Sequence, residues 1–296
     1  MDFPGDPNGY PTKDEVADHL ATFVSRFELP VRWGIEVRTL QRVDGLFLAT
    51  LGDGSTVRAR VVVIATGAFQ VPSIPALADR FSTRVQQLPS TRYRDPRSVR
   101  AGTVLVVGDG ATGRQLAHEL AVSHRVLLSH GRSRRVTRAR ILGRNVFWWL
   151  DRLGLLRVSS TSAIGRRLRR ADPFPSGGHD ERDLVRAGVV MLPRLVRAQG
   201  EVAHFENAIE ERIDAVVWAT GFRDDASWVH IPGAADGAGA FLQTDGSSTV
   251  PGLFFVGRSW QSTRGSALLL GVSRDADVVI RRALDYLVRS TSGGQP

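Results

Sequence analysis

Cysteine is absent from the 296-residue sequence, and its absence excludes several kinds of chemistry. Without thiols the chain has no disulfide bonds, thiolate metal sites, Cys-His nucleophile or redox-active cysteine pair. Apolar runs of the roughly 20 residues that cross a bilayer are absent too, and the polar N-terminal stretch lacks the features of a secretory signal. We therefore expect a cytoplasmic protein without a membrane span, in which any redox chemistry belongs to a cofactor.

Lysine is nearly absent as well, so arginine supplies almost all of the positive charge. The formal net charge is +9. Clustered basic side chains bind polyanions, because they neutralise phosphates. Here the arginines are spread along the chain, which favours a solvated surface, and we expect no nucleic-acid partner. The seven histidines show no spacing typical of a metal site, so no metal is predicted.

Periodicity divides the first hundred residues into three parts. Residues 11–27 carry apolar side chains at helical spacing after a Thr12–Glu15 capping box, which predicts an amphipathic helix. Three β-rich runs then predict a meander that leads into a buried strand over 60–64. The Pro- and Arg-rich stretch up to residue 100 is predicted to be linker and surface loop, with a domain boundary within it.

The rest of the chain begins with a strand, a glycine turn, a helix and a second strand, which is the start of a βαβ unit. Residues 141–157 are apolar enough for a helix, and 184–218 are strand-rich. GLFFVG predicts a short buried strand near the end. The following residues 266–288 have apolar positions three and four apart, which predicts a helix.

The glycine turn carries the most specific signal in the sequence. It fits G-x-G-x-x-G, follows a predicted strand and opens a predicted helix, as a dinucleotide-binding turn requires. The first glycine permits the tight turn, the second lets the backbone approach a pyrophosphate, and the third allows close packing of helix on strand. Free N–H groups at the helix N-terminus then face the phosphates. A glycine turn without a ligand is the alternative. The residues are Gly108, Asp109, Gly110, Ala111, Thr112 and Gly113.

The second strand of this unit bears on which dinucleotide is bound. An NAD site places a carboxylate at the end of that strand for the ribose 2′-hydroxyl. No acid follows Ser129, and Arg132 and Arg134 supply guanidinium groups that can hold a 2′-phosphate. NADPH is therefore predicted. NADH stays the alternative, because arginine is frequent throughout the chain.

Six segments together resemble the flavin-containing monooxygenase-like family of NADPH-dependent flavoprotein oxidoreductases, in the family's order and over nearly the whole chain. They are GYPTKDEVADHL, RARVVVIATG, QLPSTRYRDP, VLVVGDGATGRQLAHELA, DAVVWATGF and PGLFFVGRSWQSTRGSALLLGVSRDAD. The resemblance implies an α/β fold with two nucleotide-binding, Rossmann-like domains. An NADPH-binding domain, 101–221, is inserted into an incomplete, discontinuous FAD-type domain, 1–100 and 222–296.

The resemblance also implies which residues hold FAD and NADPH between the domains. Both Ala-Thr-Gly segments fall at the domain crossings, and the C-terminal flavin motif maps onto Gly257. The three residues from Ser266 would open a helix whose dipole stabilises reduced flavin, and the backbone of Val37 would hold the adenine of FAD. No side chain is assigned as catalytic, since the flavin carries the chemistry. The crossing and helix residues are Ala65, Thr66, Gly67, Ala219, Thr220, Gly221, Ser266, Ala267 and Leu268.

The sequence departs from the family's pattern in two places. The family's first glycine motif, which binds the FAD pyrophosphate and supplies a central strand, is not found ahead of the meander. We therefore expect weakened FAD binding and an unpaired edge beside the strand ending at Ile64. Pro89 stands where the family's linker motif has a histidine, and proline has no side-chain donor.

The sequence thus predicts an NADPH-dependent flavoprotein oxidoreductase of the monooxygenase type, in which NADPH reduces FAD and the reduced flavin reacts with oxygen to oxygenate a small organic substrate. One alternative is a catalytically impaired NADPH-binding remnant, or a subunit that needs a complementing chain to complete its FAD site. Another is a reductase without oxygen transfer. A homo-oligomer is compatible with each of these.

Overall fold

A computed structural model of the chain describes residues 3–6, 9, 11–131, 136–137, 140–171, 174–175 and 179–292. Among these residues no helix is both long and apolar enough to cross a membrane. The α-helices, in chain order, are α1 (Lys13–Arg26), α2 (Ala111–Leu120), α3 (Val146–Arg152), α4 (Ala163–Ala171), α5 (Glu181–Arg186) and α6 (Val272–Ser292).

Short strands separate the helices, and short 3-10 turns cover Ala76–Arg80, Ser90–Arg92, Pro96–Ser98 and Leu155–Arg157. The strands, in chain order, are β1 (Val37–Val43), β2 (Leu46–Leu51), β3 (Thr56–Ala59), β4 (Val62–Ile64), β5 (Val71–Pro72), β6 (Gln86–Pro89), β7 (Thr103–Val107), β8 (Arg125–Ser129), β9 (Val136–Thr137), β10 (Arg140–Ile141), β11 (Arg144–Asn145), β12 (Phe174–Pro175), β13 (Val190–Leu192), β14 (Leu195–Gln199), β15 (Val202–Phe205), β16 (Glu210–Arg212), β17 (Ala215–Trp218), β18 (Phe222–Arg223), β19 (Gln243–Thr244), β20 (Ser247–Ser248) and β21 (Leu253–Phe255).

A parallel five-stranded sheet forms the centre of the half of the protein that contains the glycine turn, with strand order β13-β8-β7-β17-β6. Its strands are nearly continuous apolar runs because both faces are buried. Leu105 and Val216 pack into the core on one face, and Val104 and Val217 pack into the core on the other. Strand order changes direction at β7, and ligands of such sheets bind at the carboxyl ends of the strands beside this point.

Strand β6 corrects the prediction that the segment before residue 100 is linker and surface loop. It pairs in parallel with β17, with Gln86 opposite Ala215 and Pro89 opposite Trp218. Proline has no N–H to donate, and it is tolerated here because β6 is the edge strand of the sheet. The segment therefore contributes to the same sheet as the glycine turn.

The flanking half contains the predicted meander β1-β2-β3 and a four-stranded sheet of order β19-β20-β21-β4. Strand β4 pairs in parallel with β21, and Phe254 of β21 packs against Val279 and Ala283 of α6. Among the described residues, no strand pairs with the other edge of β4. The chain passes between the two halves twice, and strands β5 and β18, one at each passage, pair with each other in antiparallel fashion.

Two predicted helices have different bounds in the structure. The C-terminal helix begins at Val272, and residues 266–271 form turns instead. The reason is a close backbone contact, because a Cβ on Gly271 would collide with the carbonyl oxygen of Gly265. The helix predicted over 141–157 is limited to α3, which ends before Gly154 at φ +70°. Helix α1 has the predicted capping box.

Candidate dinucleotide-binding site

A cleft of about 810 Å³ opens at the carboxyl ends of β7, β8 and β17. The predicted glycine turn and the second Ala-Thr-Gly segment both line it. The lining residues that bear on ligand binding are Phe69, Gly108, Asp109, Gly110, Ala111, Thr112, Ser129, Gly131, Arg194, Ala219, Thr220, Gly221 and Phe222.

The glycine turn has the close contacts that its sequence predicts. Gly108 has φ +106°, and a Cβ there would collide with the carbonyl oxygen of Ala219. A Cβ on Gly113 would collide with the carbonyl oxygen of Gly108, so the helix can approach the strand only without a side chain. Gly110 is the N-cap of α2 and gives no side-chain hydrogen bond. The first N–H groups of α2 are therefore available to an anion, and the turn fits a pyrophosphate.

One end of the cleft is polar and carries an arginine that the sequence interpretation missed. Arg194 is exposed, follows β13 and lies with a guanidinium nitrogen 3.9 Å from the position of a Cβ on Gly131. Gly131 itself comes two residues after the end of β8. The buried Ser129 hydroxyl donates to the carbonyl of Pro193 at 2.9 Å and so ties β8 to the segment that bears Arg194.

The sequence offers one signal for Arg194, because this residue comes just after β13. Strand β13 pairs in parallel with β8, so the carboxyl ends of the two strands lie side by side. Arg132 and Arg134, which were predicted to hold the 2′-phosphate, lie outside the described residues. At the end of β8 the structure has Ser129 in the place where an NAD site has a carboxylate.

The opposite end of the cleft is apolar. Phe69 and Phe222 meet edge to face there, with ring centroids 5.3 Å apart, and Phe69 is 73% exposed. The chain that follows the first Ala-Thr-Gly segment is bonded to the second segment at this end. The amide of Ser73 donates to the carbonyl of Gly221 at 2.8 Å, and the Thr220 hydroxyl donates to the carbonyl of Ser73.

The residues predicted to contact FAD are partly brought together. A Cβ on Gly257 would lie 3.9 Å from the Cα of Gly67, and space beyond Gly67 is open. Ala65 and Thr66 of the same segment are exposed. Arg258 donates to the carbonyl of Gly67 at 3.2 Å and forms a largely buried ion pair with Asp224. The side chain of Arg258 thereby joins the C-terminal flavin motif to both crossings.

Three other residues predicted to contact FAD do not form the expected helix start. Ser266, Ala267 and Leu268 lie in turns ahead of α6, so they do not open a helix. Ser266 is fully buried, and its hydroxyl accepts hydrogen bonds from the backbone amides of Ser262 and Thr263 at 3.1 and 3.0 Å. Val37 begins strand β1, and its contact with the adenine of FAD stays a prediction.

A buried ion pair lies inside the glycine turn. Arg114 Nη2 is 3.5 Å from Asp109 Oδ2, and Arg114 Nε donates to the carbonyl of Asp109 at 3.0 Å.

A histidine pair lies further along, where the ring of His118 on α2 is 4.7 Å from the ring of His179. Burial, and then the charge of His118, lower the pKa of His179 below its ordinary value. In the part of the chain that the structure describes, no cluster of acidic and histidine side chains could hold a metal ion.

Comparison with known proteins agrees with this architecture. A family profile described as pyridine nucleotide-disulphide oxidoreductase matches residues 5–140. The uncharacterized oxidoreductase CzcO-like of Geobacillus kaustophilus is 40% identical over 97% of this chain and 82% of its own length. The oxidoreductase CzcO of Bacillus subtilis strain 168 is 32% identical, over 95% of this chain and 81% of its own.

A solved structure shares the fold. The flavin-containing monooxygenase from Stenotrophomonas maltophilia superposes with a TM-score of 0.76 at 23% identity, over 96% of this chain and 80% of that one. This similarity confirms the predicted α/β fold with two Rossmann-type domains. Taken with the 40% identity to the Geobacillus protein and the 32% identity to the Bacillus protein, it leads to one conclusion: the chain belongs to the family of CzcO-like oxidoreductases and has the fold of a flavin-containing monooxygenase.

Proposed function

We propose that the cleft binds NADPH with its pyrophosphate against the glycine turn. The observation that carries this proposal is the close backbone packing at Gly108 and Gly113, which has no room for side chains and gives the tight turn that a pyrophosphate site requires. The uncapped start of α2 adds hydrogen-bond donors and the positive end of a helix dipole. We assign this role to residues 101–221 together with strand β6.

The order of strands gives the dinucleotide a direction. Arg194 and Gly131 lie beyond β13 and β8, so the adenosine end with its 2′-phosphate belongs there. A guanidinium group binds a phosphate through two parallel hydrogen bonds, which favours NADPH over NADH. The nicotinamide end then lies beyond β17, where Phe69 and Phe222 offer apolar ring surfaces.

We propose further that a flavin lies beside this apolar end, against the segment from Ala65 to Gly67 and against Gly257. The two groups, if bound there, would supply hydride transfer and the activation of oxygen, which is the chemistry needed to oxygenate a small organic substrate. The chain's own residues bind and orient the two groups. Arg258 fixes Gly67 relative to Asp224, and the β5–β18 pairing keeps the two crossings adjacent.

The test is a titration of the purified chain with NADPH and NADH, before and after incubation with FAD and desalting. Binding of NADPH in preference to NADH is expected, together with a retained flavin absorption band that bleaches anaerobically on addition of NADPH. Arg194→Gln should remove the preference for NADPH, whereas Arg186→Gln, an exposed change on α5, should not. Equal affinity for the two dinucleotides in the native chain would contradict the assignment. Product analysis under oxygen separates a monooxygenase from a reductase.

Two separate uncovered features, helix α1 and the free edge of β4, support a second candidate function. Helix α1 buries none of its side chains, and Phe23, Phe27 and Trp33 are exposed. A helix with an uncovered apolar face and a strand with an uncovered edge are the surfaces that a strand–glycine turn–helix unit would cover. We therefore propose as the alternative a subunit that binds NADPH and depends on such a unit, in a complementing segment, to complete its FAD site.

Adding this segment in trans distinguishes the two candidates. A peptide spanning the family's first glycine motif would be mixed with the purified chain and FAD before desalting. Flavin retained only in the presence of the peptide supports the subunit. Flavin retained equally without the peptide supports the autonomous oxidoreductase, and NADPH binding alone in both samples leaves a dinucleotide-binding remnant.

A further inference from the structure

Two charges are buried inside the glycine turn, where uncharged residues would be easier to accommodate. The side chain of Asp109 is 10% exposed and that of Arg114 is 6% exposed. Removing an isolated charge from water is costly, so a buried carboxylate requires a partner. Arg114 provides one, with Nη2 3.5 Å from Oδ2 of Asp109.

The guanidinium of Arg114 also holds the main chain on both sides of it. Its Nε donates to the carbonyl of Asp109 at 3.0 Å, and its Nη1 donates to the carbonyl of His179 at 3.3 Å. All three nitrogens of the planar group thus have acceptors. Arg114 connects the glycine turn to the chain that enters α5, besides neutralising the carboxylate.

The charge on Asp109 matters because Asp109 lines the cleft that the pyrophosphate would enter. Two like charges at short range in a partly desolvated site repel each other strongly. An unpaired Asp109 carboxylate would therefore oppose the same ligand that the amides of Ala111 and Thr112 attract. Neutralisation by Arg114 removes this opposition.

We propose that Arg114 is a positioning residue for NADPH, acting through Asp109: it neutralises the carboxylate and fixes the turn in the conformation that receives the pyrophosphate. This inference rests on the proposed NADPH site. It assigns to a pair of buried charges a role in ligand affinity, in addition to its role in packing.

The experiment uses the full chain and four variants: Arg114→Met, Asp109→Asn, the double variant, and Arg125→Met as control. Arg125 forms an ion pair with Glu211 at 2.9 Å at the other end of β8, so the control removes a paired arginine outside the cleft. Affinities for NADPH and for adenosine 2′-phosphate, which lacks the pyrophosphate, are measured by calorimetry. Thermal unfolding of each variant is recorded in parallel.

We expect Arg114→Met to weaken NADPH binding by at least about tenfold, equivalent to about 1.4 kcal/mol, with little change for adenosine 2′-phosphate. Asp109→Asn should bind NADPH nearly as the native chain does, and the double variant should regain most of the lost affinity. The double variant has no buried charge without a partner, so it remains informative if Arg114→Met fails to fold.

Three results overturn the inference. One is native affinity in Arg114→Met, and another is a double variant whose affinity for NADPH stays as weak as that of Arg114→Met. Equal losses for both ligands would show a structural role only. A native chain that binds no NADPH removes the proposed function as well, and this outcome is distinct from the other three because it appears before any substitution.

Discussion

The hydroxyl of Ser129 accepts a hydrogen bond from the backbone amide of Leu195 at 3.0 Å, across 66 residues of sequence. The same hydroxyl donates to the carbonyl of Pro193 at 2.9 Å. Arg194 lies between these two bonded residues, so one buried side chain determines where the segment carrying that arginine leaves the sheet.

Ser129→Ala should therefore lower both stability and NADPH affinity. The buried amide of Leu195 and the partly buried carbonyl of Pro193 would lose their hydrogen bonds, at a cost of about 1–3 kcal/mol. Urea unfolding measures the first effect and an NADPH titration the second. Ser123→Ala, at an exposed position after α2, is the control and should change neither. A variant with lower stability but native NADPH affinity would show that the position of Arg194 does not depend on Ser129.

Gly113→Ala should prevent the close approach of α2 to the glycine turn. The added methyl group would collide with the carbonyl oxygen of Gly108, so the helix must move or the turn must open. We expect a lower melting temperature and loss of measurable NADPH binding. Gly237→Ala is the matched control, because a Cβ there has nothing within 4 Å. Native binding by Gly113→Ala would contradict the assigned geometry.

Phe69→Ala should weaken binding at the nicotinamide end alone. Loss of an aromatic stacking surface costs about 1–3 kcal/mol in comparable base-stacking sites. NADPH affinity should fall, whereas affinity for adenosine 2′-phosphate should be unchanged, and both are measured by calorimetry. Phe69→Tyr keeps the ring and should retain affinity. Equal losses for the two ligands would place Phe69 outside the proposed nicotinamide end.

Arg258→Met should destabilise the junction between the halves. It leaves the largely buried Asp224 carboxylate without its partner, which costs about 3–5 kcal/mol in comparable buried pairs. Arg281→Met breaks an exposed pair with Asp277 and should cost less than about 1 kcal/mol. Chemical unfolding compares the two. A loss in Arg258→Met no larger than in the control would show that the junction does not depend on this pair.

Acid should destabilise the chain through His179. Burial and the neighbouring His118 lower the pKa of His179, while Asp183 acts in the opposite sense. A histidine with a lowered pKa in the folded state contributes stability that is complete above its unfolded value of about 6.5 and is lost as the pH falls. The melting temperature should therefore fall between about pH 7 and pH 5.

His179→Gln should reduce this fall, because the substituted side chain does not titrate. His230→Gln, an exposed change, is the control and should leave the native pH dependence in place. The measurement is the melting temperature of each variant between about pH 7 and pH 5. An unchanged slope in His179→Gln would show that other groups cause the acid sensitivity.

Local features of the chain were predictable where the signal is contained in a few adjacent residues. The glycine turn, strands β8 and β17 and the capping box of α1 occur where the sequence places them, since strand, turn and cap depend on near neighbours. The C-terminal helix was predicted to begin too early for the same reason. Ser266 and its apolar neighbours favour a helix locally, but the backbone contact between Gly265 and Gly271 prevents it.

Features that depend on distant contacts could not be predicted in the same way. Strand β6 was interpreted as a loop because its pairing with β17 joins segments far apart in the chain. Arg194 was missed since its proximity to Gly131 arises only when β13 lies beside β8. The Asp109–Arg114 pair is close in sequence, yet its burial depends on the packing of α2 and on the carbonyl of His179.

Gly108 lies against the carbonyl of Ala219, and Ala219 is where the chain leaves the central sheet for the flanking half. Gly67 and Gly221 mark the two crossings, and both have positive φ with open space around them. Because Gly221 follows Ala219 by two residues and both line the cleft, the wall of the cleft and the second crossing are one continuous piece of backbone. A substitution that shifts the chain at this crossing is therefore expected to shift the wall of the cleft as well, even though it touches no ligand.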